Sequence, residues 1–223
     1  MKKLSLILLI LIGLGLTSIA QIDTDQLSLD ISKTDAANMG QLKAFIWKME
    51  SVVTVDGAQK ATALNEFSIE EDGKVSVTNL SSDTDVKQKR GLRGKAQASS
   101  AQKSLDYVQH AIDLYTQYAF MSKGQLLDFF DRAVITEKDG VIEATSSDVL
   151  VKGDKLTVKV ESATNLFIHK EFSSVMGEDP ISGKIDYSKF KSGISHASAS
   201  VLNLPAKKAV INSKNKDYVQ KVQ

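Results

Sequence analysis

One strongly helical stretch, from about Ser99 to Ala133, sits between two runs that alternate like strands, and this order limits the folds open to the chain. Ala101, Leu105, Val108, Ile112, Tyr115 and Ala119 recur at steps of four and three, which lays one apolar stripe along an α-helix. Ser99 with Gln102 reads as a capping box at its start. Ser122 with Gln125 reads as a second box, opening a shorter helix that carries Leu126, Phe129, Phe130 and Ala133 on one side. Two such helices need an apolar surface to cover, and the flanking strands supply it.

The first run of strands starts at Phe45 and reaches Val55, with Phe45, Trp47, Met49, Val53 and Val55 on one face and Lys48, Glu50 and Thr54 on the other. This is the period-two pattern of a half-buried antiparallel strand. Asp56-Gly57 and Asp72-Gly73 are hairpin turn signals, so about Lys60 to Glu70 and Lys74 to Leu80 complete a meander. After the helices, strands are expected at Ala133 to Lys138, Val141 to Val151, Lys155 to Ser162 and Asn165 to Met176, then Ile185 to Phe190, Ile194 to Leu202 and Lys208 to Ser213. Gly177 to Pro180 reads as a loop, and the polar end from Asn215 as a fraying tail. The order implies an α+β fold: a large antiparallel sheet covered on one face by two or three helices. Residues 21 to 40 read two ways, since Leu27, Leu29 and Ile31 alternate while Leu27, Ile31 and Leu42 suit a helix. Helix is favoured because a strong strand follows at once.

The first twenty residues set a basic start, Lys2 and Lys3, before an apolar run to Leu16 and a small-residue end at Ser18 and Ala20. That is the pattern of a secretory signal peptide cleaved after Ala20; the apolar run is short for an uncleaved anchor, which needs roughly 20 residues. No Cys follows, which excludes a lipid-anchored lipoprotein, and the periplasm is the expected location. Residues 21–223 are then one domain with a helical insertion at about 99–133. Lys plus Arg number 28 against 27 Asp plus Glu, so no overall field favours nucleic acid or an anionic membrane. The absence of Cys also removes disulfides, thiol catalysis and thiolate metal sites.

No catalytic or metal-binding constellation emerges, and no cofactor is expected. His110, His169 and His196 lie on separate elements without the spacing of a helical zinc motif. A hydrolase built on His169 or His196 would need a nucleophile or carboxylate within hydrogen-bond reach of the ring. Lys87, Lys89, Arg90, Arg93 and Lys95 crowd a stretch with two glycines and no aromatic residue, unlike a single-strand nucleic-acid platform. They read either as a solvated loop or as a contact for an anionic headgroup or acidic partner.

What remains is apolar. Trp47, Met49, Phe67, Phe129, Phe130, Phe167 and Phe172 are large residues expected inside a sheet-plus-helix shell. They form either a plain core or the wall of a cavity that a curved sheet leaves beneath its helices. Such a cavity suits an acyl chain, because apolar burial is non-directional and scales with area.

With its meander opening at Phe45 to Val55, its helical insertion and its closing segments Tyr187 to Phe190 and Leu204 to Ile211, the chain resembles the LolA-like group of periplasmic carriers. Over Asp85 to Tyr118 it looks closer to uncharacterised exported relatives than to the lipoprotein carrier itself, and it differs from the familiar carriers in its basic stretch and long central helix. The resemblance implies an unclosed antiparallel half-barrel lidded by helices. It also implies a non-catalytic carrier, expected to be a monomer, for a lipid acyl chain or similar hydrophobic ligand, with a membrane or lipoprotein partner. The competing reading is an exported structural or interaction protein with a solid core and no ligand.

Overall fold

The computed structural model describes residues 23–84 and 92–221, with side chains for all of these except 84 and 92–105. The expected signal peptide and Lys87, Lys89 and Arg90 lie outside the described residues, and Arg93 and Lys95 fall where only the backbone is described. The chain opens with helix α1 (Thr24–Leu42), then strands β1 (Phe45–Val55), β2 (Ala58–Ile69) and β3 (Val75–Thr84). Helices α2 (Leu92–Ala119) and α3 (Lys123–Arg132) follow. The remaining strands are β4 (Val134–Lys138), β5 (Val141–Ser147), β6 (Lys155–Glu161), β7 (Leu166–Met176), β8 (Asp179–Lys189), β9 (Ser195–Leu204) and β10 (Ala209–Gln220).

All ten strands form one antiparallel sheet in the order β3-β2-β1-β10-β9-β8-β7-β6-β5-β4. Two meanders meet where β10 pairs with β1, and β3 and β4 are left as the two edges. The sheet is therefore an unclosed half-barrel in an α+β fold. Asp56 and Gly57, with φ of 50° and 76°, make the left-handed two-residue turn that matches strand twist in a hairpin.

α1 forms as a helix although its own amphipathicity is weak. Asp23 caps it by accepting from the Gln26 amide, and its buried Ser28 and Ser32 hydroxyls donate to the Asp25 and Leu29 carbonyls. The Asn38 amide bridges both backbone groups of Ser195, at 2.8 and 2.7 Å, and ties the helix to β9. α1 packs on α3 and β7, α2 on β7 and β8, and α3 on β5.

Several boundaries differ from the sequence reading. α2 starts at Leu92, so Ser99 and Gln102 lie within a helix and are not its cap; Ala, Leu, Lys, Arg and Gln dominate 92–98 and propagate a helix readily. Its most deeply buried face runs through Ala111, Leu114 and Tyr118, one column over from the expected stripe. The Ser122–Gln125 capping box is present as expected, and Leu126, Phe129 and Phe130 are buried. β5 stops at Ser147 because Asp148, at φ 55°, turns the chain into a loop. Pro180 lies inside β8, paired only with Val175; pairing to β9 begins at Ser182, so the missing N–H breaks no ladder bond on that side. The polar C-terminal segment does not fray. It continues β10 to Gln220, opposite Phe45, because β1 pairs with it along its length, the ladder needs only backbone groups, and the Asn215 and Tyr218 side chains tie it to the Ala197 carbonyl of β9.

The interior divides into two clusters. The larger gathers Ile31, Leu114, Tyr118, Leu126, Phe129, Phe130, Leu156, Val158, Phe172 and Leu204 beneath the helices. The smaller holds Leu42, Trp47, Phe67 and Ile69 with Met49, Phe120 and Tyr218. In the larger, Phe172 stacks on Tyr118 with centroids 4.1 Å apart, and its ring occupies the space over Gly183, its cross-strand neighbour. A methyl carbon at Gly183 would sit 2.3 Å from Cε1 of Phe172, which is 1% exposed. Gly183→Ala is therefore expected to cost about 1–3 kcal/mol through overpacking. The check is a lower urea midpoint at unchanged slope; an unmoved midpoint would mean that the ring yields freely.

Candidate ligand-binding cleft

The two clusters do not merge. Between them, α2 stands off the sheet over β1, β9 and β10 and leaves a cleft that opens to solvent. Trp47, Met49 and Phe67 wall one side and Leu202 and Ile211 the floor, while Ile112, Tyr115 and Phe120 close it from the α2 side. Trp47 is held in a stack, with Phe67 at 5.9 Å and Tyr218 at 5.5 Å between centroids, so one wall is a rigid aromatic surface.

The few polar groups on the wall are largely engaged with the protein. Ser51 and Ser213 hydrogen bond to each other across β1 and β10 at 2.9 Å, and the Thr116 hydroxyl donates to the Ile112 carbonyl. Burial pushes the Tyr115 hydroxyl up to about 12, with a hydrogen bond to Ser200 acting the other way, so it stays protonated at neutral pH. The Asn215 amide donates to the Ala197 carbonyl at 3.0 Å. Ligand sites are commonly apolar with a few placed polar groups.

A second, smaller cleft adjoins the first, sharing Phe120 and Ala197 with it, and is lined by Asp35, Asn38, Phe167, Tyr187 and His196. Beneath it lies Lys170, 1% exposed, whose ammonium donates to the Ala119 carbonyl at 3.1 Å and sits 4.2 Å from the Phe167 ring centroid. It thus caps the negative end of α2. Burial pushes the Lys170 amine down to about 8, against the opposing charge of Asp35. The Asp35 carboxyl is itself pushed up by burial and pulled part of the way back by Lys170.

Of the residues expected to line a cavity, Trp47, Met49 and Phe67 meet at the first cleft and Phe167 at the second. Phe129, Phe130 and Phe172 lie at neither; they are packed in the larger cluster, Phe129 edge-on to Phe130 at 5.0 Å. Phe167 and Phe172 are both buried on the inner face although five residues separate them in β7. A bulge in β7 opposite Lys159 and Val160 makes this possible and turns Phe167 and Lys170 inward together. Sequence reasoning missed Lys170, Asp35, Ser51 and Asn215. Ser51 shares the face of Trp47 and Met49 by simple alternation, and that signal was readable.

The histidines lie apart from the cleft wall or are packed in aromatic groups. His169 Nδ1 is 2.7 Å from Asp186 Oδ1, its cross-strand partner, so it is not isolated; both stand on the outer face among Glu171 and Lys184. No hydroxyl bonds to its ring among the described residues. His196 is stacked on Phe190 at 4.3 Å, and burial lowers its pKa against the Ala197 carbonyl, leaving it neutral near pH 7. Among the described residues no group of three or more His, Asp or Glu could hold a metal, and no helix is long and apolar enough to cross a membrane.

No family model matches the sequence, and no curated protein does. Among solved structures the chain is similar to a DUF1329 family protein from Desulfovibrio piger, at 10% identity over 90% of this chain and 94% of that one, with a TM-score of 0.44. It is also similar to a LolA superfamily protein from Nitrosomonas europaea, at 10% identity over 88% of this chain and 94% of that one, with a TM-score of 0.40. Neither likeness is close enough to transfer a residue's role.

Proposed function

We propose that the protein is a non-catalytic periplasmic carrier that holds a lipid acyl chain or a similar hydrophobic ligand in the cleft between α2 and the sheet. The observation that carries this reading is the cleft itself: two core clusters kept apart by a space walled with Trp47, Met49, Phe67, Ile112, Leu202 and Ile211. A globular interior close-packs where it has no other use, so a standing apolar gap between clusters favours an occupant. Each methylene buried there contributes about 0.8 kcal/mol, and affinity needs no charged anchor. In this reading α2 is the lid, and the basic run of Lys87, Lys89, Arg90, Arg93 and Lys95 meets an anionic headgroup or the membrane-side partner.

Native mass spectrometry of the protein exported from a bacterial host and purified without detergent tests the reading. A discrete added mass, lost on organic extraction and identified as a lipid, is the expected result. A bare mass that stays bare after incubation with phospholipids and acylated peptides would overturn it in favour of an interaction protein without a ligand.

A further inference from the structure

The cleft holds one polar atom that the protein leaves unpaired. Asn215 lines it from β10, opposite Met49 of β1. The Nδ2 half of its amide is committed to the Ala197 carbonyl, which also accepts from the Tyr218 hydroxyl at 2.9 Å. The Oδ1 half is buried and has no hydrogen-bond partner among the described residues. Turning the amide over does not help, since it would set Oδ1 against the Ala197 carbonyl oxygen, an acceptor against an acceptor. Buried acceptors are nearly always satisfied, and one left open on the wall of an apolar cleft asks for a donor from the occupant.

We infer that the ligand is an apolar chain bearing a hydrogen-bond donor, a hydroxyl or an amide N–H, which Asn215 Oδ1 accepts within the cleft. The inference rests on the carrier reading and narrows its ligand class: a hydroxylated or amide-linked chain is preferred over a plain alkyl chain or ester. The site favours a neutral donor, because its surroundings are the apolar faces of Met49 and Trp47 and the protonated Tyr115. The selectivity lies in the difference between donor and no donor, as in sites whose polar group goes unpaired with the wrong ligand.

The test compares two probes of equal chain length, 1-dodecanol and its methyl ether, which differ in the donor hydrogen. Binding is followed by calorimetry and by the fluorescence of Trp47, the chain's one tryptophan, which lies in the cleft wall. The ratio of alcohol to ether affinity is measured in the wild type and in Asn215→Leu, with Asn215→Ala as a second variant should leucine disturb the strand. Taking the ratio of ratios removes the difference in probe hydration. It is expected to fall about three- to tenfold on losing Asn215, the worth of one neutral hydrogen bond, while ether binding is retained. An unchanged ratio overturns the inference and leaves the carrier reading standing. Failure of both probes to bind the wild type overturns the carrier reading, and the inference with it.

Discussion

Replacing Asp154 by alanine is expected to destabilise the protein by about 3–5 kcal/mol, the range for removing one partner of a buried, fully engaged charge. Asp154 is 1% exposed and closes the loop between β5 and β6. Its carboxylate accepts from the Val149, Leu150 and Val151 amides at 2.6, 2.9 and 3.0 Å and from the Tyr118 hydroxyl at 2.5 Å. Alanine would leave three backbone amides short of an acceptor in the interior, and would leave the Tyr118 hydroxyl, whose ring stacks on Phe172, only its longer bond to Ser174 Oγ at 3.1 Å. Asparagine keeps one acceptor oxygen but turns an NH2 toward backbone amides, so it should fall between. The measurement is the guanidinium midpoint of the two variants; a loss below about 1 kcal/mol for alanine would show that water replaces the carboxylate at no great cost.

The same residue sets an acid limit. Burial alone would raise the Asp154 carboxyl, but the Tyr118 hydroxyl and the Leu150, Val151 and Val149 amides outweigh it and hold the group below the ordinary carboxylate value. A carboxylate depressed by the fold stabilises it fully above the unfolded value near pH 4. That contribution disappears as pH falls through the lower folded value.

Lys170 acts at the other end of the pH scale. Its amine is pushed down to about 8 in the folded protein, against roughly 10.4 in the unfolded chain. Between these values the unfolded state binds the extra proton, so stability is expected to rise with pH from about 8 to 10, by an amount of the order of 3 kcal/mol. Above about pH 10 the buried tyrosines Tyr115, Tyr118, Tyr187 and Tyr218 reverse the trend, because the fold raises all four hydroxyls and the unfolded state loses those protons first. In Lys170→Met the rise is expected to vanish while the fall remains. A mutant curve parallel to the wild type between pH 8 and 10 would place the titration elsewhere. The groups around the ammonium are Asp35 from α1, the Tyr118 and Ala119 carbonyls from α2, Phe167 from β7 and Tyr187 from β8. Methionine therefore also leaves the Ala119 carbonyl at the end of α2 with only the Tyr187 hydroxyl, at 3.4 Å, and its stability at neutral pH reports the balance of the two effects.

Local rules carried the sequence reading where the physics is local. Alternation placed β1 and β6 correctly, down to Leu156, Val158 and Val160 at 0% exposed, because a side chain's face depends only on its position in the strand. The Asp-Gly pairs at 56, 72 and 139 mark hairpins because their backbone geometry is their own property. The Ser122 capping box closes within one turn and was legible for the same reason.

What failed to show was decided across the fold. The second half of β10, from Asn215, looks like a tail because Lys216 and Asp217 are polar, yet it continues the strand to Gln220. Its partner β1 lies far away in the sequence, and a bulge at Asp217, φ 53°, returns Tyr218 to the inner face against Trp47. The bulge in β7 hid Lys170, since a lysine on a strand is read as solvent-facing until pairing assigns it a side. The division of the large apolar residues between packed core and cleft wall was equally out of reach. Trp47 and Phe129 carry the same hydrophobic signal, yet Trp47 lines the cleft under α2 while Phe129, on α3, is packed in the larger cluster. The order of the elements, and the faces of those strands that carry no bulge, could be read from the residues alone, because they follow from near neighbours in the chain. The tertiary structure decided the register between distant strands, the buried charges and the cleft, because each depends on contacts between segments that the chain keeps far apart.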